Sequence, residues 1–313
     1  MEQAAEWSLF CVDAGSAYCP CYLAESGECI ACSLLRGEDF CQCSWSGTCS
    51  YLNQRWARGA VKSRQEEEVE VTRTELAPNL FCLELMLQAE MARELVNPGA
   101  FLLLRALELP PQAWVPVSVV EVRGEKVRVV VYVDGPKTRF LVKPASHLVV
   151  KGPFYNGVQG LAILKRVRDG LGLIIAGGVG QSTAASVAGQ LLRGGNRVRA
   201  CLAPGRAGLN YTADLLRALG VEVNEVSSLR REGLATLSQW LKEEPEVVFS
   251  GGPDALHRGV ARVLQEQGAA APLVTSQNAV MCCGEGLCGS CVVFTAKRRR
   301  VPRCKAQYQS EGR

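Results

Sequence analysis

Between residues 69 and 150, apolar and polar residues alternate in short runs that are typical of β-strands. The runs are VEVTRTEL, LFCLELML, AFLLLRAL, VPVSVVEV, KVRVVVYV and HLVVKGP. Turn signals at Pro98-Gly99 and Arg123-Gly124 separate some of these runs. The spacing predicts a small antiparallel β-barrel.

Beyond Gly160 the pattern changes to strands that alternate with helices. The apolar runs LGLIIAG, RVRACLA, VEVNEV, EVVFSGG and APLVTS predict strands. Helical runs separate them, at residues 182–192, 212–219, 232–242 and 254–267. This alternation predicts a parallel, doubly wound α/β sheet.

Two of the predicted strand-to-helix turns are rich in glycine. They read Gly177-Gly178-Val179-Gly180 and Ser250-Gly251-Gly252-Pro253. Glycine at such a turn lets a dinucleotide pyrophosphate approach backbone N–H groups and the helix N-terminus. A tight turn also uses glycine without any ligand, but two such turns together favour an NAD(P)-binding domain.

Near the C-terminus, cysteines recur with the spacing C-x4-C-x2-C-x12-C. These residues are Cys283, Cys288, Cys291 and Cys304, with glycines at positions 284, 286 and 289. The opening spacing is that of plant-type ferredoxins, so the pattern predicts a [2Fe–2S] cluster. An all-thiolate zinc site is the alternative, although structural zinc usually pairs two short knuckles. We expect the neighbouring Cys282 to be a packed thiol rather than a ligand.

The first fifty residues hold eight further cysteines and no histidine. The cysteines are Cys11, Cys19, Cys21, Cys29, Cys32, Cys41, Cys43 and Cys49. A segment this short cannot bury a sufficient core by itself, so bound metal is predicted to hold it folded. The ligand set is all thiolate, and it suits either a [4Fe–4S] cluster or zinc.

Composition narrows the class of protein. A chain of 313 residues with 48% hydrophobic content is predicted to form two or three domains. The net charge of +4 is too small for a global nucleic-acid binder, and no apolar stretch is long enough for membrane insertion. Clustered cysteines without a leader-like N-terminus predict a metalloprotein of the reducing cytoplasm. The basic run Lys297–Arg300 is interpreted as a solvated hairpin tip, or else as a docking site for an acidic redox partner.

A barrel, a nucleotide fold and a terminal cysteine loop, in that order, resemble the ferredoxin–NADP reductase-like superfamily. The resemblance extends in particular to the iron–sulfur electron-transfer subunits of dihydroorotate dehydrogenase B. It covers about residues 70–305, through NPGAFLLLR, VPVSVVEV, GPFYNG, IIAGGVG, SGGPDAL and the cysteine loop. The cysteine-rich residues 1–56 lie outside it.

The resemblance implies FAD on the barrel, bound by the strand Pro116-Val117-Ser118 and the turn Lys137-Thr138. Two positions depart from the family pattern. Val115 replaces an arginine that pairs with the FAD pyrophosphate, and Lys137 can restore a positive charge nearby. Gly251 replaces a cysteine that lies near the nicotinamide.

The predicted fold class is thus all-β plus α/β, ferredoxin-reductase-like, in four parts. These are a cysteine-rich metal segment with a linker (1–66), an FAD-type barrel (67–158), an NAD(P)-type domain (159–275) and a [2Fe–2S] module (276–313). The predicted function is electron transfer between NAD(P)H, FAD and the cluster, with a redox partner protein or catalytic subunit and no acid–base catalytic residue. The alternative is a non-catalytic iron–sulfur or zinc scaffold or sensor on a degenerate reductase fold.

Overall fold

The computed structural model describes residues 7–19, 21–43, 47–56, 61, 63–144, 147–294 and 299–310. The chain folds into two compact units. Unit 1 combines residues 1–66 with residues 279–313, and unit 2 consists of residues 67–278. The cysteine-rich start of the chain therefore shares a unit with the C-terminal cysteine loop. The four-part division expected from the sequence remains a prediction.

The secondary structure is given in chain order. The strands are β1 (Trp7–Cys11), β2 (Glu66–Val69), β3 (Val71–Ala77), β4 (Leu80–Met86), β5 (Phe101–Ala106), β6 (Val115–Arg123), β7 (Lys126–Tyr132), β8 (Leu148–Phe154), β9 (Val158–Gln159), β10 (Leu171–Gly177), β11 (Arg197–Ala203), β12 (Glu222–Glu225), β13 (Val247–Gly251), β14 (Leu273–Ser276), β15 (Val292–Phe294), β16 (Arg300–Pro302) and β17 (Ala306–Ser310). The α-helices are α1 (Tyr22–Glu25), α2 (Ser50–Trp56), α3 (Ala89–Glu94), α4 (Pro136–Val142), α5 (Leu161–Arg166), α6 (Gly180–Arg193), α7 (Ala213–Ala218), α8 (Leu234–Trp240) and α9 (Asp254–Glu266). Within the described ranges, no helix is long and apolar enough to cross a membrane.

The first half of unit 2 is a curled antiparallel sheet with the strand order β2–β8–β5–β6–β7–β4–β3. β4 pairs antiparallel with β3 and β7, and β5 pairs antiparallel with β6 and β8. Alternate side chains point inward, and Leu83, Leu104 and Val129 fill the interior with no exposed surface. The antiparallel β-structure predicted from the alternating pattern is confirmed, as a curled half-barrel with β2 and β3 at its edges rather than a complete barrel.

The second half of unit 2 is a sheet with the strand order β12–β11–β10–β13–β14–β9. β10 pairs in parallel with β11 and with β13, as predicted. It is buried on both faces because LGLIIAG carries apolar side chains at odd and even positions. β9 departs from the predicted pattern and pairs antiparallel with β14. A strand of two residues is too short to show an alternation of apolar and polar residues, so the sequence pattern could not predict it.

Helices cover both faces of this second sheet. On one face, Val187 and Leu191 of α6 pack with Leu216 of α7. On the other face, Leu237 of α8 packs with Leu264 of α9. Apolar residues on one side of each helix bury against the sheet, which gives the doubly wound architecture expected from the alternating strands and helices.

Unit 1 joins the two ends of the chain. β1 pairs antiparallel with β17, with Cys11 opposite Ala306, and β15 pairs antiparallel with β16. A small core of Leu23, Ile30, Val301 and Ala306 connects the cysteine-rich segment to the strands beside the C-terminal cysteines. The two cysteine-rich regions therefore fold together.

Because unit 2 contains its own cores, the fragment 67–278 is expected to unfold cooperatively in urea. In that fragment, Leu104→Ala removes a fully buried side chain and should lower the free energy of unfolding by about 2–5 kcal/mol. Leu107→Ala, at a position with 49% exposure, is the control and should change it by less than about 0.5 kcal/mol. Circular dichroism measures both values. Equal losses, or a fragment without a cooperative transition, would contradict the described core.

Candidate cluster loop and nucleotide-binding edge

The C-terminal cysteine loop is bent around the sulfur of Cys283. Glu285 and Cys288 donate their backbone N–H groups to Cys283 Sγ at 3.3 Å and 3.5 Å. The bends occur at residues with positive φ, which are Gly284 (68°), Gly286 (81°) and Gly289 (80°). Side-chain-bearing residues rarely adopt this conformation, so the backbone geometry requires the glycines of the motif. The loop thus directs two backbone N–H groups at one sulfur atom, an arrangement that suits an anionic cluster.

The four cysteines predicted to hold a [2Fe–2S] cluster fall into two pairs. Cys283 and Cys288 are linked by the N–H···S hydrogen bond just described. Cys304 donates its backbone N–H to Cys291 Sγ at 3.4 Å, and both of these residues are buried. A [2Fe–2S] cluster takes two protein ligands on each iron, so two pairs of thiols suit it.

Hydrogen bonds favour the thiolate form in each pair. A hydrogen bond from the thiol of Cys304 lowers the pKa of Cys291 to about 6, although burial opposes this effect. Burial also disfavours the thiolate of Cys288, but hydrogen bonds from Ser290 and Cys283 outweigh it and lower the pKa of Cys288 to about 7. The hydrogen bond to Cys291 raises the pKa of Cys304. One thiol of each pair, Cys288 or Cys291, is therefore favoured as the thiolate, the form that binds metal.

All the cysteines lie within the described residues, and each is a free thiol. Cys282, the expected packed thiol, is half-buried. Among the described His, Cys, Asp and Glu side chains, no three lie close enough together to hold a single metal ion.

The eight N-terminal cysteines differ in exposure. Cys29 and Cys32 are buried, Cys11, Cys19 and Cys21 are half-buried, and Cys41, Cys43 and Cys49 are exposed. Cys32 donates its backbone N–H to Cys29 Sγ at 3.4 Å, within a C-x2-C knuckle of the kind that metal sites use. The sulfur atoms of Cys41 and Cys43 lie 3.5 Å apart. The structure thus arranges part of this segment as neighbouring thiols.

Two arginines bind the backbone of the Cys29–Cys32 knuckle. Arg36 Nη1 donates to the carbonyl oxygens of Cys29 and Ile30, at 3.3 Å each. Arg299 Nη2 donates to the same two oxygens at 3.1 Å and 2.8 Å. The basic run was interpreted as a solvated tip or a docking site, but Arg299 is engaged inside unit 1. Residues 297–298 of that run lie outside the described part of the chain.

In unit 2, the two glycine turns meet at the carboxyl edge of the parallel sheet. A Cβ atom on Gly180 would lie 2.5 Å from the carbonyl carbon of Gly251 and 2.7 Å from the nitrogen of Gly252. Side chains are excluded there, so these glycines bring two strand ends together whether or not a ligand is bound. Gly178 has a φ of 55° and open space at its Cβ position. Of the other residues predicted at these turns, Gly177 is the last residue of β10 and Pro253 directly precedes α9.

A polar cluster around His257 holds the second turn, and sequence reasoning missed it. His257 Nδ1 is 2.8 Å from Ser250 Oγ, and Nε2 is 3.1 Å from Asn278 Nδ2. Gly252 donates its N–H to Ser276 Oγ at 3.1 Å, and Asn278 Nδ2 donates to the Gly252 carbonyl at 2.8 Å. The signal in the sequence that could have indicated this cluster was a serine near the end of each of two apolar strands, Ser250 and Ser276.

The predicted FAD strand, Pro116–Ser118, lies in β6. Val117 is buried in the core of the curled sheet. Ser118 Oγ accepts a hydrogen bond from Thr183 Oγ1 of α6 at 3.2 Å. The strand therefore runs beside the helix that begins at the first glycine turn.

The predicted turn at Lys137 and Thr138 is the first turn of α4. Lys137 Nζ donates to the carbonyl oxygen of Trp114 at 2.9 Å. Trp114 directly precedes Val115, the position at which the resembling family has arginine. Thr138 Oγ1 accepts the backbone N–H of Gly135 at 3.2 Å and caps the helix. A cation thus lies beside the start of β6, although it is carried by a different segment.

Comparison with curated proteins finds electron-transfer subunits. The electron transfer subunit of dihydroorotate dehydrogenase B (NAD(+)) from Clostridium acetobutylicum is 26% identical over 213 residues, which cover 66% of this chain and 80% of that protein. The corresponding subunit from Bacillus velezensis is 26% identical over 233 residues, 72% of this chain and 87% of that protein. No family model matches the chain.

Comparison with solved structures identifies the fold. The NADH-dependent reduced ferredoxin–NADP oxidoreductase matches with a TM-score of 0.60 at 20% identity, over 79% of this chain and 87% of that one. The ferredoxin reductase of carbazole 1,9a-dioxygenase matches with a TM-score of 0.51 at 19% identity, over 68% and 67%. The chain has a ferredoxin-reductase-like fold. The resemblance predicted from the sequence is confirmed.

A single added methyl group, at Gly180, tests the close approach of the two glycine turns. Gly180→Ala should lower the free energy of unfolding of fragment 67–278 by about 1–3 kcal/mol, because the Cβ would overlap backbone atoms. Gly189→Ala, in the middle of the same helix, is the control, since its Cβ position is 3.5 Å from the nearest atom, Arg193 Nη1. It should raise stability by about 0.5–1 kcal/mol. Equal effects of the two changes would refute the close approach.

The His257 cluster predicts a pH dependence of stability. Burial lowers the pKa of His257, so the unfolded chain binds a proton at a higher pH than the folded chain does. Its contribution to stability is complete above the unfolded pKa of about 6.5 and is lost as the pH falls from there through the folded pKa. His257→Gln should flatten this part of the profile in urea unfolding, while His147→Gln should preserve it. An unchanged slope in His257→Gln would contradict the assignment.

Proposed function

We propose that the chain is an electron-transfer oxidoreductase subunit. It moves electrons between NAD(P)H, FAD and a [2Fe–2S] cluster, to or from a partner protein. The observation that carries the proposal is the arrangement of four cysteines as two thiol pairs in a glycine-bent loop, within a chain that has a reductase fold.

The thiolates of Cys283, Cys288, Cys291 and Cys304 would hold the cluster, and the N–H groups aimed at Cys283 Sγ would stabilise its negative charge. FAD supplies the exchange between the two electrons of a nicotinamide and the single electron of a cluster. The chain's own part is to bind and orient these groups, which agrees with the absence of a predicted acid–base residue.

On the barrel, Pro116 and Ser118 would line the flavin, and Lys137 would face its pyrophosphate with help from the Thr138 cap. The support is the position of Lys137 Nζ beside the strand that lacks the family's arginine. At the sheet edge, Gly177, Gly178 and Gly180 would offer the backbone to the NAD(P) pyrophosphate. The second turn, Gly251-Gly252-Pro253, would position the nicotinamide half of NAD(P). Hydrogen bonds from Gly252 to Ser276 and from Asn278 to Gly252 fix this turn.

A partner is proposed from the names of the curated relatives. Those proteins are electron transfer subunits of dihydroorotate dehydrogenase B. For this chain we propose the same relation to a catalytic subunit or another redox protein.

The N-terminal cysteines are proposed to bind a second metal centre, [4Fe–4S] or zinc. The support is the Cys29–Cys32 knuckle, whose carbonyl oxygens are capped by Arg36 and Arg299. Metal-to-protein ratios of the intact chain and of a Cys29→Ser/Cys32→Ser variant separate this centre from the C-terminal one.

One observation favours the alternative, a non-catalytic scaffold. A Cβ on Gly251 would lie 2.8 Å from Gly180 O and 2.9 Å from Phe249 Cε1. The cysteine that the family has near the nicotinamide therefore has no room here. If the alternative holds, the protein binds an iron–sulfur cluster or zinc without binding flavin.

The cluster assignment is tested by anaerobic purification and EPR. Cys288→Ser should abolish the signal of the reduced C-terminal cluster, and Cys282→Ser, its control in the same loop, should leave it nearly intact. The opposite result would show that the ligands are assigned wrongly.

The flavin assignment is tested by titrating the apoprotein with FAD. Val115→Arg should tighten binding by about 1–2 kcal/mol if the pyrophosphate lies at the start of β6, as an added charge-assisted hydrogen bond does. Lys137→Met should weaken binding by a similar amount. Absence of binding by the natural chain and by Val115→Arg would replace the reductase proposal with the scaffold.

A further inference from the structure

Four charged side chains of unit 1 form one buried ionic group, here called the quartet. Its members are Asp13, Arg64, Glu285 and Lys305, with side-chain exposures of 1%, 1%, 12% and 1%. Arg64 Nη2 donates to Asp13 Oδ1 at 2.8 Å, and Arg64 Nη1 donates to Glu285 Oε2 at 3.0 Å. Lys305 Nζ donates to Asp13 Oδ2, and to Glu285 Oε2 at 2.8 Å. Each cation thus binds both carboxylates.

Two members of the quartet belong to the C-terminal cysteine loop. Glu285 lies between the thiols of the first pair, Cys283 and Cys288. Lys305 directly follows Cys304 of the second pair. Their ion pair therefore connects the two halves of the proposed cluster site.

The other two members come from the N-terminal segment. Asp13 follows β1, and Val12 donates its N–H to the carbonyl oxygen of Lys305 at 2.9 Å. The guanidinium of Arg64 also stacks on the ring of Tyr18, 4.1 Å from its centroid. The charge balance of the loop is therefore completed by residues outside the region that resembles the reductase family.

The quartet is neutral as a whole, with two cations and two carboxylates. Asp13, Arg64 and Lys305 are each 1% exposed, and each makes two ion pairs within the quartet. Removing one member leaves an uncompensated charge in a site shielded from water.

We propose that the quartet positions the two cysteine pairs and sets the reduction potential of the C-terminal cluster. The inference rests on the proposed [2Fe–2S] cluster, and its members are positioning residues rather than ligands. Reduction adds one electron, and thus one negative charge, to the cluster. A surplus positive charge nearby favours the reduced form, and a surplus negative charge favours the oxidised form.

The test is an EPR-monitored redox titration of the full-length protein. Asp13→Asn leaves one surplus positive charge and should shift the midpoint potential upward. Lys305→Gln leaves one surplus negative charge and should shift it downward. The double variant is neutral again, and its potential should return toward that of the natural chain. Glu28→Gln is the control, because it removes a carboxylate from an exposed ion pair with Arg300 in the same unit, and it should leave the potential unchanged.

Shifts of the midpoint potential in opposite directions that cancel in the double variant support the proposal. A purely structural role would not make the direction of the shift follow the sign of the surplus charge. Unchanged potentials, or shifts of the same sign in both single variants, overturn it. If the single variants fail to assemble the cluster, recovery of the signal in the double variant supports the proposal, and continued loss overturns it. A natural chain without a reduced-cluster signal defeats the proposed function itself, whereas a signal that no variant moves defeats only this inference.

Discussion

Charge that is buried must be balanced, and unit 1 meets this constraint by bringing both ends of the chain together. Each carboxylate of the quartet accepts from both cations, and two of these residues come from the N-terminal segment and two from the C-terminal cysteine loop. The pairing of β1 with β17 and the arginine caps on the Cys29–Cys32 knuckle act in the same direction. The C-terminal cysteine loop is therefore shaped by the N-terminal segment as well as by its own glycines.

In unit 2, the predicted nucleotide-binding edge is formed by two backbone segments that lie close together, and buried charge has no part in it. Gly180 and Gly251 exclude side chains where two strands end, and this leaves main-chain groups at the carboxyl edge of the sheet. In open α/β sheets that edge is where ligands bind. A side chain at position 251 would meet the Gly180 carbonyl oxygen and the ring of Phe249. The chain keeps the geometry of the fold while changing a residue near its proposed reaction site.

Alternating apolar residues were sufficient to predict antiparallel strands, apolar runs to predict the parallel strands, and cysteine spacing to predict the C-terminal loop, because each signal lies in neighbouring residues. These signals could not reveal β9, which has two residues, or the His257 cluster, which joins β13, α9 and the segment after β14. The quartet could not be predicted from the sequence for the same reason. Asp13 and Glu285 are far apart in sequence, and no periodic pattern marks charged residues that tertiary contacts bury. Lys137 was recognised as a compensating charge, but its contact with Trp114 required the fold.

The central proposal is that the chain moves electrons between a nicotinamide, a flavin and a [2Fe–2S] cluster. It is tested most directly by adding NADH or NADPH to the anaerobic full-length protein loaded with FAD and iron. Absorbance and EPR are then recorded on the same sample. The account predicts bleaching of the flavin absorbance together with the EPR signal of a reduced [2Fe–2S] cluster. A protein that contains the cluster but retains no flavin, and whose cluster neither nicotinamide reduces, would contradict it.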